Sequence, residues 1–394
     1  MSKAARHRGS RARRLLALLL GCGLAVLADY AVRQVYLRIR NKKPAVYVWS
    51  LREPNPVYHH GLKPNASGTD TYGPYSAPAH SNSLGLRDGS LREVALKSSQ
   101  PRILFIGDSF TEAAGLPWEK SFVGRIAQAL APRGVEVLNA GVVSYTPVIE
   151  KAKLRHLLDS VGLEVDLVVL ALDISDIKDE LFYEERPDGS VAEIPYGPQR
   201  QKAGDLLKID KICNWLEGHV EQNFVILGAV VRNLRLTWRR HASKDGITVF
   251  EMLPTWAFGW PDYHGPYETY VEEGLAKAKR NMTGIAEFLR GKNIPLVLVI
   301  YPWPQQVLAQ SKPSRAETEW LAWARQERVP CVNLFPLFVN ATPPEEVLRQ
   351  FYWHNDCHWN EEGHRRVAEA LLQPGSGIPL PQKRTQASAT RNGP

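Results

Sequence analysis

The chain has 394 residues, of which 44% are hydrophobic and 23% charged. That is ordinary for a globular protein and sufficient for a sizeable core, in one large domain or two small ones. The formal net charge of +8 invites a nucleic-acid reading, but its placement excludes one. Residues 1–43 carry eleven Lys/Arg against the single acid Asp29, and the tail from Gln373 adds Lys383, Arg384 and Arg391. The ends therefore supply +10 and +3, leaving the body at about −5. A nucleic-acid reader concentrates basic residues on its folded module. Here they flank an apolar segment, as in membrane proteins.

Residues 1–14 form a basic tail. The run from Leu15 to Val32, LLALLLGCGLAVLADYAV, is about one membrane-spanning helix long and is interrupted only by Asp29. Three fates fit it. A retained signal anchor over 15–33 is favoured; a cleaved secretory signal and a lipoprotein signal at Leu19-Leu20-Gly21-Cys22 are the alternatives. Arg33, Arg38, Arg40, Lys42 and Lys43 make the far flank basic as well, which weakens the charge rule for orientation. The expectation is a single-pass membrane protein with the short tail in the cytoplasm and the large domain outside. Residues 34–100 are largely rich in Pro, Gly, Ser and Asn and read as an irregular lead-in.

From residue 101 apolar runs alternate with segments of helical period. Strands are predicted at ILFIG (103–107), EVLNAG (136–141), VDLVVLALD (165–173), IPLVLVIYP (294–302) and CVNLF (331–335), and helices over 119–132, 147–161, 267–290, 314–328 and 361–372. Near-continuous apolar strands alternating with helices mean a parallel sheet covered on both faces. The stretch 180–265 breaks the alternation and reads as an insertion. The tail 373–394, rich in Pro, Gly, Ser and Gln, reads as disordered. In such folds ligands bind at the carboxyl ends of the strands, so chemistry is sought there.

The first of these strands runs into Gly107-Asp108-Ser109. A serine between a buried strand and a helix start has an exposed hydroxyl beside helix N–H groups that favour negative charge. A helix-capping serine is the plainer explanation. Near the C-terminus Asp356 and His358 stand two residues apart before a predicted helix. A carboxylate so close can accept the imidazole Nδ1–H and leave Nε2 to take a proton from Ser109, the arrangement of acyl transfer. The plainer alternative is that Asp356 caps the helix and His358 packs in a loop. His354, Cys357, His358 and His364 lack regular metal-ligand spacing, so no metal centre and no cofactor are expected. Cys22, Cys213, Cys331 and Cys357 fit no zinc motif, and a Cys213–Cys331 disulfide is left open.

Taken together, these blocks resemble the SGNH (GDSL-like) hydrolase superfamily in its membrane-anchored bacterial form. ILFIGDSFTE resembles the first block, Asn139-Ala140-Gly141 the second and DCHWNEEGH the last; NSLGLRD (82–88) and YPWP (301–304) are also similar. The resemblance covers about 80–372. It implies a flavodoxin-like three-layer α/β/α sandwich around a mostly parallel five-stranded sheet, with residues 101–372 as the hydrolase domain. It also implies Ser109 as nucleophile, His358 and Asp356 as its partners, and the Ser109 and Gly141 N–H groups in an oxyanion hole. The third block departs: Asp173-Ile174-Ser175-Asp176 stands where the family has Gly-x-Asn-Asp. Ser175 is the candidate third oxyanion donor, and a hydroxyl there is less preorganised than an amide.

The expected activity is ester hydrolysis or O-acyl transfer, on an ester-bearing substrate such as a polysaccharide or lipid. An outward-facing domain and Trp256, Trp260, Tyr263, Tyr267 and Tyr270 in the insertion lean towards acylated cell-envelope carbohydrate, although aromatics more often pack a lid. Residues 212–240 are amphipathic and end basic, fitting either a cover for the domain or a membrane surface. The altered third block leaves a second reading, a binding or scaffold protein with little turnover.

Overall fold

In the computed structural model the described residues are 21–34 without 22 and 33, 51–72, 75–194, 268–309, 314–339, 343–353, 356–375 and 378–381. The chain divides into two units. The smaller comprises 1–45 and 197–249, and its described residues run as helix between 21 and 34. Among the described residues no helix is long and apolar enough to cross a membrane. Residues 15–20, 22 and 33 of the expected anchor lie outside the described residues. So do 195–267 of the insertion, with the 212–240 segment, Cys213 and Trp256, and the tail from 382 onward.

The larger unit, Val46–Tyr196 with Phe250–Pro394, carries the sheet and the site. Its strands in chain order are β1 (Arg52–Asn55), β2 (His59–Leu62), β3 (Ser67–Tyr72), β4 (Tyr75–Ser81), β5 (Arg87–Asp88), β6 (Arg102–Ile106), β7 (Glu136–Asn139), β8 (Leu167–Leu172), β9 (Tyr183–Glu185), β10 (Val191–Glu193), β11 (Leu296–Ile300) and β12 (Cys331–Asn333). The main sheet runs β12-β11-β8-β6-β7-β5-β4-β3. The five predicted strands are β6, β7, β8, β11 and β12, and they pair in parallel. Taken in their own order they stand 2-1-3-4-5, the flavodoxin-like arrangement. β6, β8 and β11 are buried at every position, as a sheet covered on both faces requires. The result is an α/β sandwich around a mostly parallel sheet.

The sheet has eight strands among the described residues, not five. The extra three are antiparallel and come from the lead-in predicted to be irregular. β3 and β4 form a hairpin with Tyr72 opposite Tyr75, and β5 joins the edge of β7 through Arg87 and Asn139. β1 and β2 make a separate hairpin, and β9 and β10 another, inside the expected insertion. The five predicted helices appear as Phe122–Leu130, Pro147–Arg155, Glu268–Gly291, Arg315–Glu327 and Glu361–Leu372. The second is shorter than predicted because it passes into a π turn over His156–Ser160. Short helices at Ser109–Glu112, Ser175–Asp179, Pro304–Ala309, Phe335–Phe338 and Pro344–Phe351 escaped the periodicity, being near or below two turns long.

The lead-in is fixed to the sheet by charge as well as by pairing. Arg52 bonds Asp70 at 3.1 Å and also pairs with Glu112, on the helix that begins at Ser109. Glu112 in turn accepts the Val143 N–H at 2.7 Å. Side-chain exposure is 10% for Arg52, 4% for Asp70 and 3% for Glu112. Arg52→Ala would strand two buried carboxyl groups without their shared cation. We expect it to lower unfolding stability by about 3–5 kcal/mol. Urea denaturation checks this, and a loss below about 1 kcal/mol would show that the cluster does not hold the lead-in.

Lys153 lies in the last turn of helix Pro147–Arg155 and is fully enclosed. Its Nζ donates to Tyr145 Oη at 3.0 Å and stands over the Tyr145 and Tyr58 rings. Burial lowers its pKa to about 7, against a smaller opposing effect of Glu112. Between that value and the ordinary lysine pKa of about 10.4 the unfolded chain holds a proton that the folded chain has released. Stability contributed by this site therefore rises with pH across the window. Lys153→Met should remove that rise and stabilise the protein at pH 7 and below. Denaturation of both proteins at pH 7 and pH 9 measures it; equal pH dependence in the two would refute the assignment.

Candidate active site

The carboxyl end of β6 builds the first part of the site. Gly107 turns the chain so closely that a Cβ there would lie 2.3 Å from Thr111 Oγ1 and 2.9 Å from the Ala171 carbonyl. No other residue fits without moving the helix. Asp108, not Ser109, caps that helix: its carboxylate accepts the Phe110 N–H at 3.0 Å. This removes the plainer explanation of Ser109. Ser109 is instead the first helical residue, and its N–H has no acceptor within the helix.

The second part comes from the loop before the last helix. Trp353 N–H donates to the His358 carbonyl at 2.9 Å and Asn360 N–H to the Phe351 carbonyl at 2.9 Å, closing the loop on itself. Asn360 caps helix Glu361–Leu372 by accepting from Glu362 and Gly363. Asp356 is thus free of the capping role that would otherwise explain it. Its Oδ1 lies 2.5 Å from His358 Nδ1 and accepts the His358 N–H at 2.9 Å.

These parts meet. Ser109 Oγ stands 2.7 Å from His358 Nε2. With Nδ1–H given to Asp356, Nε2 is the acceptor for the serine proton, which is the required tautomer. Burial works against ionisation of Asp356, but hydrogen bonds and charge from His358 outweigh it and hold the carboxyl below its usual range. The imidazole is walled by rings, with centroids of Tyr72 and Phe110 each 4.7 Å away. Trp353, stacked on Tyr75 at 3.9 Å, stands behind Tyr72. Ser109 and His358 are 9% and 7% exposed, so the pair works largely out of water.

The expected oxyanion donors are placed differently. Gly141 N–H donates to Asn139 Oδ1 at 2.9 Å, which leaves the oxyanion role expected of it without support. Packing explains this glycine: a Cβ would meet Thr111 Cβ at 2.6 Å. Asn139 also donates to the Thr111 carbonyl at 2.6 Å, tying β7 to the helix that begins at Ser109. Ser175 Oγ donates to Asp173 Oδ1 at 2.6 Å, and its N–H goes to the same oxygen. The hydroxyl offered to an oxyanion is therefore committed to Asp173. Ser109 N–H remains as a donor at the nucleophile itself.

Around these groups lies a set of buried carboxyls. Asp173 accepts from Trp303 Nε1 at 2.6 Å in addition to Ser175, and Tyr301 Oη donates to Asp108 at 3.1 Å. Burial raises Asp173, with its hydrogen bonds and His358 pulling the other way. Burial, reinforced by the charge of Asp173, pushes Asp108 well above the carboxylate range. The three bonds accepted by Asp173 favour its ionised form over that of Asp108. An ionised Asp173 would oppose a neighbouring oxyanion.

Of the four metal-like residues, Cys357 and His358 stand together, and His364 is not part of that group among the described residues. His354 lies outside the described residues. His364 accepts the Phe122 N–H on Nδ1 and stacks on the Phe122 ring, and burial pushes its pKa down to about 3. Cys331 is a free thiol whose pKa burial raises to about 12. Sequence reasoning missed Asn139 as a strut, Asp108 as the cap and Tyr72 as a wall of the site. Only Tyr72 carried a signal: SGTDTY and YSAPAHS flank Gly73-Pro74, a hairpin pattern hidden by their Pro and Gly content.

No family model matches the chain, and no curated protein matches it. Solved structures that overlap it include TesA, at 16% identity and a TM-score of 0.36, covering 68% of this chain and 95% of that one. A catalytic mutant of Axe2, an acetylxylan esterase from Geobacillus stearothermophilus, overlaps at 15% identity and a TM-score of 0.37, covering 71% and 95%. A GDSL-like lipase from Bacteroides thetaiotaomicron does so at 13% and 0.33, covering 70% and 88%. Likeness this distant leaves the chemistry to be read from the residues.

Proposed function

We propose that the chain is a serine ester hydrolase of the SGNH type. The carrying observation is the Ser109 Oγ–His358 Nε2 distance of 2.7 Å with Asp356 at 2.5 Å from Nδ1. Ser109 attacks the ester carbonyl while its proton passes to Nε2. Asp356 stabilises the imidazolium that results. The Ser109 N–H stands at the site of developing negative charge. The protonated His358 then returns the proton to the leaving alcohol, and water, or a sugar hydroxyl in an acyl transfer, releases the acyl group. We place this chemistry outside the cytoplasm on a membrane anchor, on the strength of the basic and apolar N-terminal run, with acylated cell-envelope carbohydrate as the substrate class. A fluorophosphonate probe tests the reading. Covalent labelling of the folded full chain is the expected result, and no labelling overturns it.

One observation favours a second reading, a substrate-binding member with little turnover. Both Gly141 N–H and the Ser175 hydroxyl are committed to other acceptors. Rapid labelling with turnover near the uncatalysed rate would support that reading over the first.

A further inference from the structure

The loop that carries His358 holds three different metal-ligand atoms together. Asp356 Oδ1, Cys357 Sγ and His358 Nδ1 all lie within 4.8 Å of one another. Cys357 Sγ stands 3.5 Å from Nδ1. Ligands at about 2.0 Å (N) and about 2.3 Å (S) in a zinc tetrahedron stand roughly 3.5 Å apart, so this pair needs no movement. Asp356 Oδ1, at 2.5 Å from Nδ1, would have to draw back by under about 1 Å to reach the same spacing. Asp356 and Cys357 are partly buried and His358 is buried.

We propose that Asp356, Cys357 and His358 form an inhibitory site for a thiolate-preferring divalent cation such as Zn²⁺, with water as the fourth ligand. The proposal rests on the hydrolase reading for its inhibitory effect, but not for the binding. The protons balance as follows. The metal takes the Nδ1 lone pair, so the proton that Nδ1 held moves to Nε2. The Cys357 thiol loses its proton to solvent, and Asp356 is already anionic. Nε2 then carries a hydrogen and cannot accept the serine proton, so the base is disabled without any change at Ser109. Burial and the Asp356 charge raise the thiol pKa, and a coordinating metal deprotonates it outright. The set mixes oxygen, sulfur and nitrogen, which disfavours Mg²⁺ and Ca²⁺.

The test uses the full chain and zinc chloride alone. Zinc binding is read by competition with a chromophoric chelator, and ester turnover is read in parallel. Wild type should bind zinc and lose turnover reversibly, with EDTA restoring it. Inhibition of Cys357→Ala is referred to its own metal-free turnover, since Sγ stands 3.5 Å from His358 Nδ1. The variant's affinity at this site should fall by more than the roughly 10–100-fold that losing an outer-shell partner costs, and inhibition should shift to match. Equal inhibition of wild type and Cys357→Ala overturns the proposal, as does wild type that binds no zinc. If turnover is absent altogether, Cys357-dependent zinc binding still supports the site while the hydrolase reading fails.

Discussion

Ser109→Ala is expected to abolish fluorophosphonate labelling and lower kcat by on the order of 10⁵–10⁶, with the melting temperature little changed. The size follows from the role. In the proposed mechanism Ser109 Oγ is the atom that bonds to the substrate carbon, and its hydroxyl is within reach of His358 Nε2, at 2.7 Å. Alanine removes that atom and little else, since Asp108 rather than Ser109 caps the helix. Folding should therefore survive, which separates this effect from the stability loss expected of Arg52→Ala. Labelling that persisted in Ser109→Ala would move the nucleophile elsewhere.

Asp356→Asn has the second-largest expected effect, a fall in kcat of on the order of 10⁴. Asparagine keeps the volume but not the charge, and its amide can present N–H to Nδ1. That favours the tautomer with the proton on Nε2, where Ser109 needs a lone pair. Loss of the carboxylate also removes what stabilises the imidazolium. Asp108 is the rival orienter, because its Oδ2 lies 3.5 Å from Ser109 Oγ. Asp108 faces the serine rather than the imidazole and is pushed towards its neutral form, so Asp108→Asn should have a much smaller effect on kcat. Steady-state hydrolysis of a chromogenic ester by the two variants decides between them; a greater loss in Asp108→Asn would reverse the assignment.

The Arg52 prediction concerns the part of the chain that the sequence described least well. Residues 34–100 contain many Pro and Gly, and strand propensity averaged over such a stretch is low. β3, β4 and β5 nevertheless extend the sheet, because backbone pairing with a preformed edge supplies what local propensity does not. That extension brings Tyr72 to His358, a contact no local pattern announces.

β6, β8 and β11 were legible because each is a short apolar run buried on both faces, and burial on both faces leaves a composition that can be read residue by residue. Ser109, Asp356 and His358 were legible because acyl transfer needs those residue types, and a strand end and a helix start put them where ligands bind. The oxyanion donors were not. A motif position names a residue, but whether its N–H or hydroxyl is free depends on neighbours folded against it. Asn139 takes the Gly141 N–H, and Asp173 takes the Ser175 hydroxyl. The sequence by itself determined the sheet's parallel core and named the serine, histidine and aspartate that the fold brings together. Only the tertiary structure decided which hydrogen-bond donors remain for the substrate, because each donor is claimed by whichever acceptor the fold brings nearest.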